Sequence, residues 1–189
     1  VLPNIHCYRA DDMINMIELA DEFKFPIRAF HHSIEAYKIR DILKQKEIGA
    51  ITWSDWWGFK AEAYDGIMEN LPLLTEAGVT AVLHSDSPHA IQYLNQDAAK
   101  AYAKGKAAGV AVSEPQALQW ITLNPAKIMG IEKFTGSLEK GKWADLVLWD
   151  KHPFSVYAQV QKVFIKGIMA YDRSRDNGLR WSDFLLGQE

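Results

Sequence analysis

The sequence predicts an α/β protein, in which four strand–helix units precede a short antiparallel β segment. Three observations support this class. Short apolar stretches typical of strands are each followed by an amphipathic stretch typical of a helix. These units recur at spacings of about 23 to 30 residues, which is typical of parallel sheets and barrels rather than of sandwiches or bundles. After residue 130 the pattern changes to turn glycines and short strand-like runs.

The predicted elements follow from apolar spacing and from the residues that begin and end helices. The predicted strands cover residues 2–5, 25–30, 48–53 and 79–85. The predicted helices cover residues 13–23, 34–46, 69–78, 89–105 and 114–129. Asp11 or Asp12 is expected to cap the first helix and Ser33 the second, because short polar side chains accept hydrogen bonds from the first free N–H groups of a helix. Gly78 is expected to end the third.

The β segment is predicted from two runs. Ala144–Trp149 is a run rich in branched apolar residues, and residues 162–173 are interpreted as two strands joined at Lys166–Gly167. We therefore expect three regions. They are an α/β region (1–130), a small antiparallel β segment (131–173) and a polar tail (174–189).

Composition excludes several classes of protein. A net charge of −3 and a pI near 6.1 offer no basic surface for nucleic acid or an anionic membrane. The single cysteine, Cys7, excludes an internal disulfide, and no apolar run reaches the roughly 18 residues of a membrane span. The expectation is a soluble, cytoplasmic protein without nucleic-acid or membrane partners.

Three polar residues stand where predicted strands end. His6, His32 and Asp86 each follow a short apolar strand, and the carboxyl ends of parallel strands open on one rim. Two imidazoles and a carboxylate suit zinc, with iron, manganese or cobalt as alternatives. The plainer interpretation is structural for each residue taken alone. Asp86 in particular could cap a helix that begins at Ser87–Pro88.

Other residues near these strand ends have two interpretations each. His31 competes with His32, because both follow the same strand. His84 would point to the same side as Asp86, although a structural role is preferred for it. Arg9 would either clamp a substrate carboxylate or pair with a nearby aspartate in its loop.

The stretch TWSDWWGFK also has two interpretations. Trp56, Trp57 and Phe59 would form an apolar wall for substrate, or they would pack the loop against the sheet. The wall is slightly favoured because this stretch follows a strand on the same rim. Asp55 is a candidate for a supporting role that the sequence does not decide.

Five segments together carry a family resemblance. They are HCYRADDM (6–13), FHHSIEAYKI (30–39), VTAVLHSDSP (79–88), ALQWITLNPAKIMGI (117–131) and GSLEKGKWADLVLWD (136–150). In this order they resemble the C-terminal half of an amidohydrolase-superfamily metallohydrolase, in the branch of imidazolonepropionase and prolidase-like dipeptidases. The resemblance implies strands five to eight of a metal-dependent (β/α)₈ barrel, followed by part of a β-sandwich.

The resemblance also implies roles for individual residues. His6 would be a metal ligand at the end of strand five, and Asp86 the strand-eight ligand that also acts as base. A histidine three residues before Glu-Ala-Tyr-Lys favours His32 as the strand-six residue, which would bind a second ion or the substrate. The implied reaction is hydrolysis of a carbon–nitrogen bond in an amide, peptide or cyclic amide, with metal-activated water as nucleophile and one or two divalent ions, most simply zinc.

Parts of this family pattern have no counterpart here. A (β/α)₈ barrel takes about 250 residues, and the sequence contains four β/α units and no His-x-His pair. We therefore expect a site that needs the N-terminal half of the same enzyme, so that the chain alone does not retain a catalytic metal. Two alternatives remain. One is a half-barrel that pairs with a second copy, and the other is a protein that binds a small ligand without catalysis. An N-acyl amino acid, a dipeptide and a cyclic amide are equally compatible substrates.

Overall fold

Four parallel strands form the main sheet of the protein. The computed structural model describes residues 2–175. The strands are β1 (Asn4–His6), β2 (Ala29–His31), β3 (Gly49–Thr52) and β4 (Ala81–Leu83). They lie in the order β1-β2-β3-β4, and every neighbouring pair is parallel. All four predicted strands are thus present, each shorter than predicted, and His6 belongs to β1 rather than to the loop after it.

Helices connect and flank these strands. They are α1 (Ala10–Phe23), α2 (Arg40–Gln45), α3 (Asn70–Glu76), α4 (Leu94–Ala107), α5 (Glu114–Gln119) and α6 (Leu123–Met129). Short 3₁₀ turns lie at Ala36–Ile39, Ala61–Ala63, Ala90–Tyr93 and Arg173–Arg175. The predicted helix 114–129 is in fact two helices. The Trp120 carbonyl accepts a hydrogen bond from the Leu83 N–H at 3.0 Å, so it bonds to the sheet and not to the next turn of helix. None of the helices within residues 2–175 has the length and apolar character needed to cross a membrane.

The caps predicted for the N-terminal ends of the first two helices are wrong. Helix α1 begins one residue before Asp11, so both aspartates lie in its first turn, where their charge favours the helix dipole. The Ala10 N–H instead donates to the Glu35 carboxylate at 2.9 Å. Ser33 does not cap either, because its hydroxyl donates to the Ile51 carbonyl on β3 at 3.1 Å. Contacts distant in sequence have replaced the local ones.

The two faces of the parallel sheet have different surroundings. Side chains alternate between the faces of a strand. Phe30, Ala50 and Leu83 pack against the helices in the main core. On the opposite face, Ala29, Ile51 and Val82 form a smaller cluster with Ile128 of α6. This face borders an open hollow of about 890 Å³, whose polar lining includes Asn4, His31, His84 and Asp86. The carboxyl ends of the strands and the hollow therefore adjoin.

A second sheet lies in the C-terminal part of the described chain. It is antiparallel and contains β5 (Leu146–Trp149), β6 (Val160–Ile165) and β7 (Ile168–Asp172) in that order. The predicted turn at Lys166–Gly167 is confirmed, and both residues have positive φ, 50° and 79°. Most of the predicted polar tail, residues 176–189, lies outside the described residues. The predicted region boundaries stay predictions.

Asp145 joins the loop before β5 to the β6–β7 turn, and its charge should make stability depend on pH. Its carboxylate accepts hydrogen bonds from the Lys166 N–H and the Thr135 hydroxyl, both at 2.7 Å. These bonds, the backbone one first, lower the pKa of Asp145 from its ordinary 3.8. A lowered pKa stabilises the folded state above pH 3.8, and that contribution disappears as the pH falls through the lowered value. In urea titrations, Asp145→Asn should lower the unfolding midpoint at pH 7, and the difference should narrow towards pH 2. A difference that is constant with pH would contradict this role of the charge.

Candidate metal and substrate site

His6 and His32 contact each other at the carboxyl ends of β1 and β2. The His32 Nε2 lies 2.8 Å from the His6 Nδ1. In the sheet register His6 is opposite His31, not His32. His32 has a left-handed backbone, with φ 65°, which is uncommon for residues other than glycine and is often found at functional sites. This turn allows the His32 ring to reach His6 even though consecutive strand residues point to opposite faces.

The Asp86 carboxylate lies near the other ring nitrogen of His32, the Nδ1. Its Oδ2 is 3.9 Å from the His32 Nδ1, beyond hydrogen-bond distance, and its side chain is 54% exposed. Asp86 also has a positive φ, 49°. The His32 Nδ1 is buried and has no hydrogen-bond partner within the described part of the chain. The structure thus brings the three predicted site residues together, with His32 in the middle.

The donor atoms of this cluster suit a divalent metal. Two imidazole nitrogens face each other, and a carboxylate stands close by with half of its surface free. Nitrogen and oxygen donors of this kind bind zinc and other first-row ions. Within residues 2–175, however, no three His, Cys, Asp or Glu side chains are placed so that they could hold one ion together. Since zinc takes four ligands, the described residues fit part of a coordination shell.

The protonation of these histidines also suits ligation, which requires the neutral ring. Burial, and then the neighbouring His6, lower the pKa of His32, while the Asp86 carboxylate opposes this shift. Burial lowers the pKa of His31 in the same way. Burial lowers the pKa of His84 to about 4. These three rings are therefore neutral at neutral pH.

Two neighbouring aromatic rings stack on His32, and sequence reasoning missed both. Tyr8 and Trp53 each stack on His32 with ring centroids 4.9 Å apart. The Trp53 indole N–H also donates to the Ser85 carbonyl at 3.2 Å, one residue before Asp86. Trp53 thus connects the His32 ring to the loop that carries Asp86. Its position directly after β3 was the available signal, because the same rule selected the other site residues.

The remaining candidates have separate surroundings. Arg9 forms a two-point ion pair with Asp11, at 2.9 and 2.8 Å, so the salt-bridge interpretation is confirmed; its role as a substrate clamp stays a prediction. Asp55 pairs with Lys100 at 2.5 Å. His31 stacks on His6 at 5.3 Å and lines the hollow.

Some aromatic side chains of the loop after β3 pack against Trp53, and some are largely exposed to solvent. Trp56 stacks on Trp53 at 5.6 Å and remains 42% exposed. Phe59 contacts the same ring edge-on at 5.6 Å. Trp57 is 61% exposed. Trp56 therefore both packs the loop and presents a face to solvent, and the predicted substrate contacts of Trp56 and Trp57 stay predictions.

Comparison with known proteins assigns the family. The model of the amidohydrolase family matches residues 3–169. The chain is 33% identical over 174 residues to amidohydrolase tasK of Hapsidospora irregularis. The matched stretch covers 89% of this chain and 17% of that protein. It is 28% identical over 180 residues to imidazolonepropionase of Thermoplasma volcanium. That match covers 91% of this chain and 40% of that protein. The crystal structure of an amidohydrolase from Thermotoga maritima superposes with a TM-score of 0.82 and 35% identity, over 92% of this chain and 44% of that one.

The chain has an α/β fold with a histidine cluster at its strand ends, and one family model matches its sequence over nearly all of the described residues. The chain belongs to the amidohydrolase family, as the five sequence segments predicted. Members of this family hydrolyse carbon–nitrogen bonds and generally bind divalent metals. The chain spans less than half the length of the three proteins described above.

Proposed function

We propose that this chain contributes part of the active site of a metal-dependent hydrolase that cleaves a carbon–nitrogen bond. The observation that carries the proposal is the pair of facing imidazole nitrogens, His6 Nδ1 and His32 Nε2, 2.8 Å apart at the ends of neighbouring parallel strands. Family membership supports the reaction class. The lowered pKa of His32 supports its use as a neutral ligand.

Each residue of the cluster has a part in this proposal. His6 and His32 would hold the divalent ion, for which zinc is the simplest choice for imidazole donors. When bound, such an ion acidifies a coordinated water and polarises the substrate carbonyl. Asp86 accepts the proton of the attacking water and returns it to the leaving nitrogen, as a general base and then a general acid. Tyr8 and Trp53 keep the His32 ring in place through stacking.

We infer that the four parallel strands are strands five to eight of a (β/α)₈ barrel. The strand order, the helical connections and the TM-score of 0.82 to an amidohydrolase support this inference. The face that borders the open hollow, with Ile51 and Val82 among its apolar residues, would then lie against the N-terminal half of the same enzyme. The missing ligands would come from that half. The substrate is a small amide, peptide or cyclic amide, and a cytoplasmic location stays a prediction.

Zinc titration tests the metal assignment on the chain itself. Zinc added to the ¹⁵N-labelled protein should shift the ring resonances of His6 and His32 and leave those of His152 unchanged. His152 serves as the control because it lies beyond β5 and pairs with Glu114. His32→Ala should lower the zinc affinity at least about tenfold, since even the loss of a residue that only supports a ligand has an effect of this size. His152→Ala should leave the affinity unchanged.

Two results would contradict parts of this proposal. Zinc that leaves the His6 and His32 resonances unmoved would remove the metal assignment. Stoichiometric zinc that stays bound through gel filtration, together with hydrolase activity of the 189-residue chain, would contradict the expectation that the site is incomplete. Plasma emission spectroscopy measures the zinc that remains bound after gel filtration. A defined dimer in the same gel filtration would favour the self-pairing alternative.

A further inference from the structure

The Lys60 ammonium lies in the aromatic cluster beside His32. Its Nζ is 3.5 Å from the centroid of the Tyr8 ring, and Tyr8 stacks on His32. The same Nζ is 5.7 Å from the centroid of Phe59. The Tyr8 ring therefore contacts both the Lys60 ammonium and His32, the candidate metal ligand.

This charge differs from the other cation expected at the site. The Arg9 guanidinium is bound at two points by Asp11. The Lys60 ammonium has no carboxylate within ion-pair distance among residues 2–175, and it lies against the rings of Tyr8 and Phe59. An ammonium in contact with the negative faces of aromatic rings keeps its charge and remains able to donate hydrogen bonds. Lys60 is thus available to an anionic ligand, whereas Arg9 is already paired.

We propose that Lys60 binds the carboxylate of the substrate, so that the hydrolase acts on N-acyl amino acids or dipeptides in preference to uncharged cyclic amides. This inference rests on the proposed function. A single ammonium offers one positive charge and a point contact, which match one carboxylate, while phosphate groups are commonly held by several donors. The exposed faces of Trp56 and Phe59 adjoin the same cluster and suit the apolar side chain of such a substrate.

A pair of probes that differ in one group tests this assignment. N-acetyl-L-phenylalanine carries the carboxylate, and N-acetyl-L-phenylalaninamide replaces it with a neutral amide. Titration of each into the zinc-free 189-residue chain, followed by tryptophan fluorescence and the ring resonances of Tyr8, should show tighter binding of the carboxylate. Lys60→Met should weaken that binding at least about tenfold, because a hydrogen bond to a charged group is lost. Lys60→Arg should retain most of it.

Lys133→Met is the matched control, because Lys133 is an exposed lysine in the loop after α6. It should bind both probes as the unaltered chain does. Equal affinity of the unaltered chain for the two probes would overturn the proposal, as would no binding of either. Undiminished binding of N-acetyl-L-phenylalanine by Lys60→Met, with circular dichroism unchanged, would also overturn it. These experiments need no metal, so their failure is distinct from failure of the zinc titration.

Discussion

Asp86→Asn should lower the kcat of the complete enzyme about 10²- to 10⁴-fold, which is the usual contribution of a general base. Asparagine has nearly the same shape as aspartate, but it cannot accept a proton from water. Asp86 is half exposed and 3.9 Å from the His32 Nδ1, so the substitution leaves no buried charge unpaired. The measurement is the dependence of kcat on pH, in which the limb due to the base should disappear.

A matched substitution distinguishes the loss of the base from the general effect of removing a negative charge from a nearby loop. Asp55→Asn removes a charge from the loop after β3, where Asp55 pairs with Lys100. It should leave kcat within a few-fold of the unaltered enzyme. Near-normal turnover of Asp86→Asn would remove Asp86 from the role of base. An equal loss in both variants would point to a shared structural cause instead.

Asn70→Ala should reduce the free energy of unfolding by about 2–4 kcal/mol, because it leaves several buried polar groups without partners. Asn70 is 2% exposed. Its amide nitrogen donates to the Ser33 and Ile34 carbonyls at 3.1 and 3.0 Å, and its oxygen accepts from the Tyr37 N–H at 3.1 Å. These bonds hold the chain directly after His32. Urea unfolding measures the loss, and zinc-induced shifts at His32 should weaken in parallel.

The same substitution on an exposed surface gives the control. Asn15 lies on the exposed side of α1, and Asn15→Ala should change the free energy of unfolding by less than about 0.5 kcal/mol. A similar loss in the two variants would mean that the buried hydrogen bonds of Asn70 contribute little. A full loss in Asn70→Ala with unchanged zinc shifts at His32 would limit its role to stability.

The parts of the fold that the sequence predicted correctly are those with a local cause. Strands recur where apolar runs recur, and the two-residue turn at Lys166–Gly167 forms because both residues adopt positive φ. Helix α3 ends at Glu76, two residues before Gly78, whose φ of 80° is the left-handed conformation typical of the residue that follows a helix. Each of these features depends on a few neighbouring residues.

The incorrect predictions share a different cause. The caps predicted from Asp11, Asp12 and Ser33 were replaced by contacts with groups more than 15 residues away. The Glu35 carboxylate, which accepts the Ala10 N–H, is 8% exposed and lies on the next β/α unit. Short-range patterns contain no information about such partners, because strand pairing decides which loops meet.

The candidate site shows the same division between sequence and tertiary structure. The sequence alone determined which residues stand at strand ends, and hence the candidates His6, His31 or His32, and Asp86, because the carboxyl ends of parallel strands share one rim. Only the tertiary structure decided that His32 rather than His31 has a nitrogen against His6. It also decided that Arg9 is paired while Lys60 faces aromatic rings. The physical reason is that ring direction and charge pairing depend on backbone turns and on neighbours from other strands, which spacing along the chain does not specify.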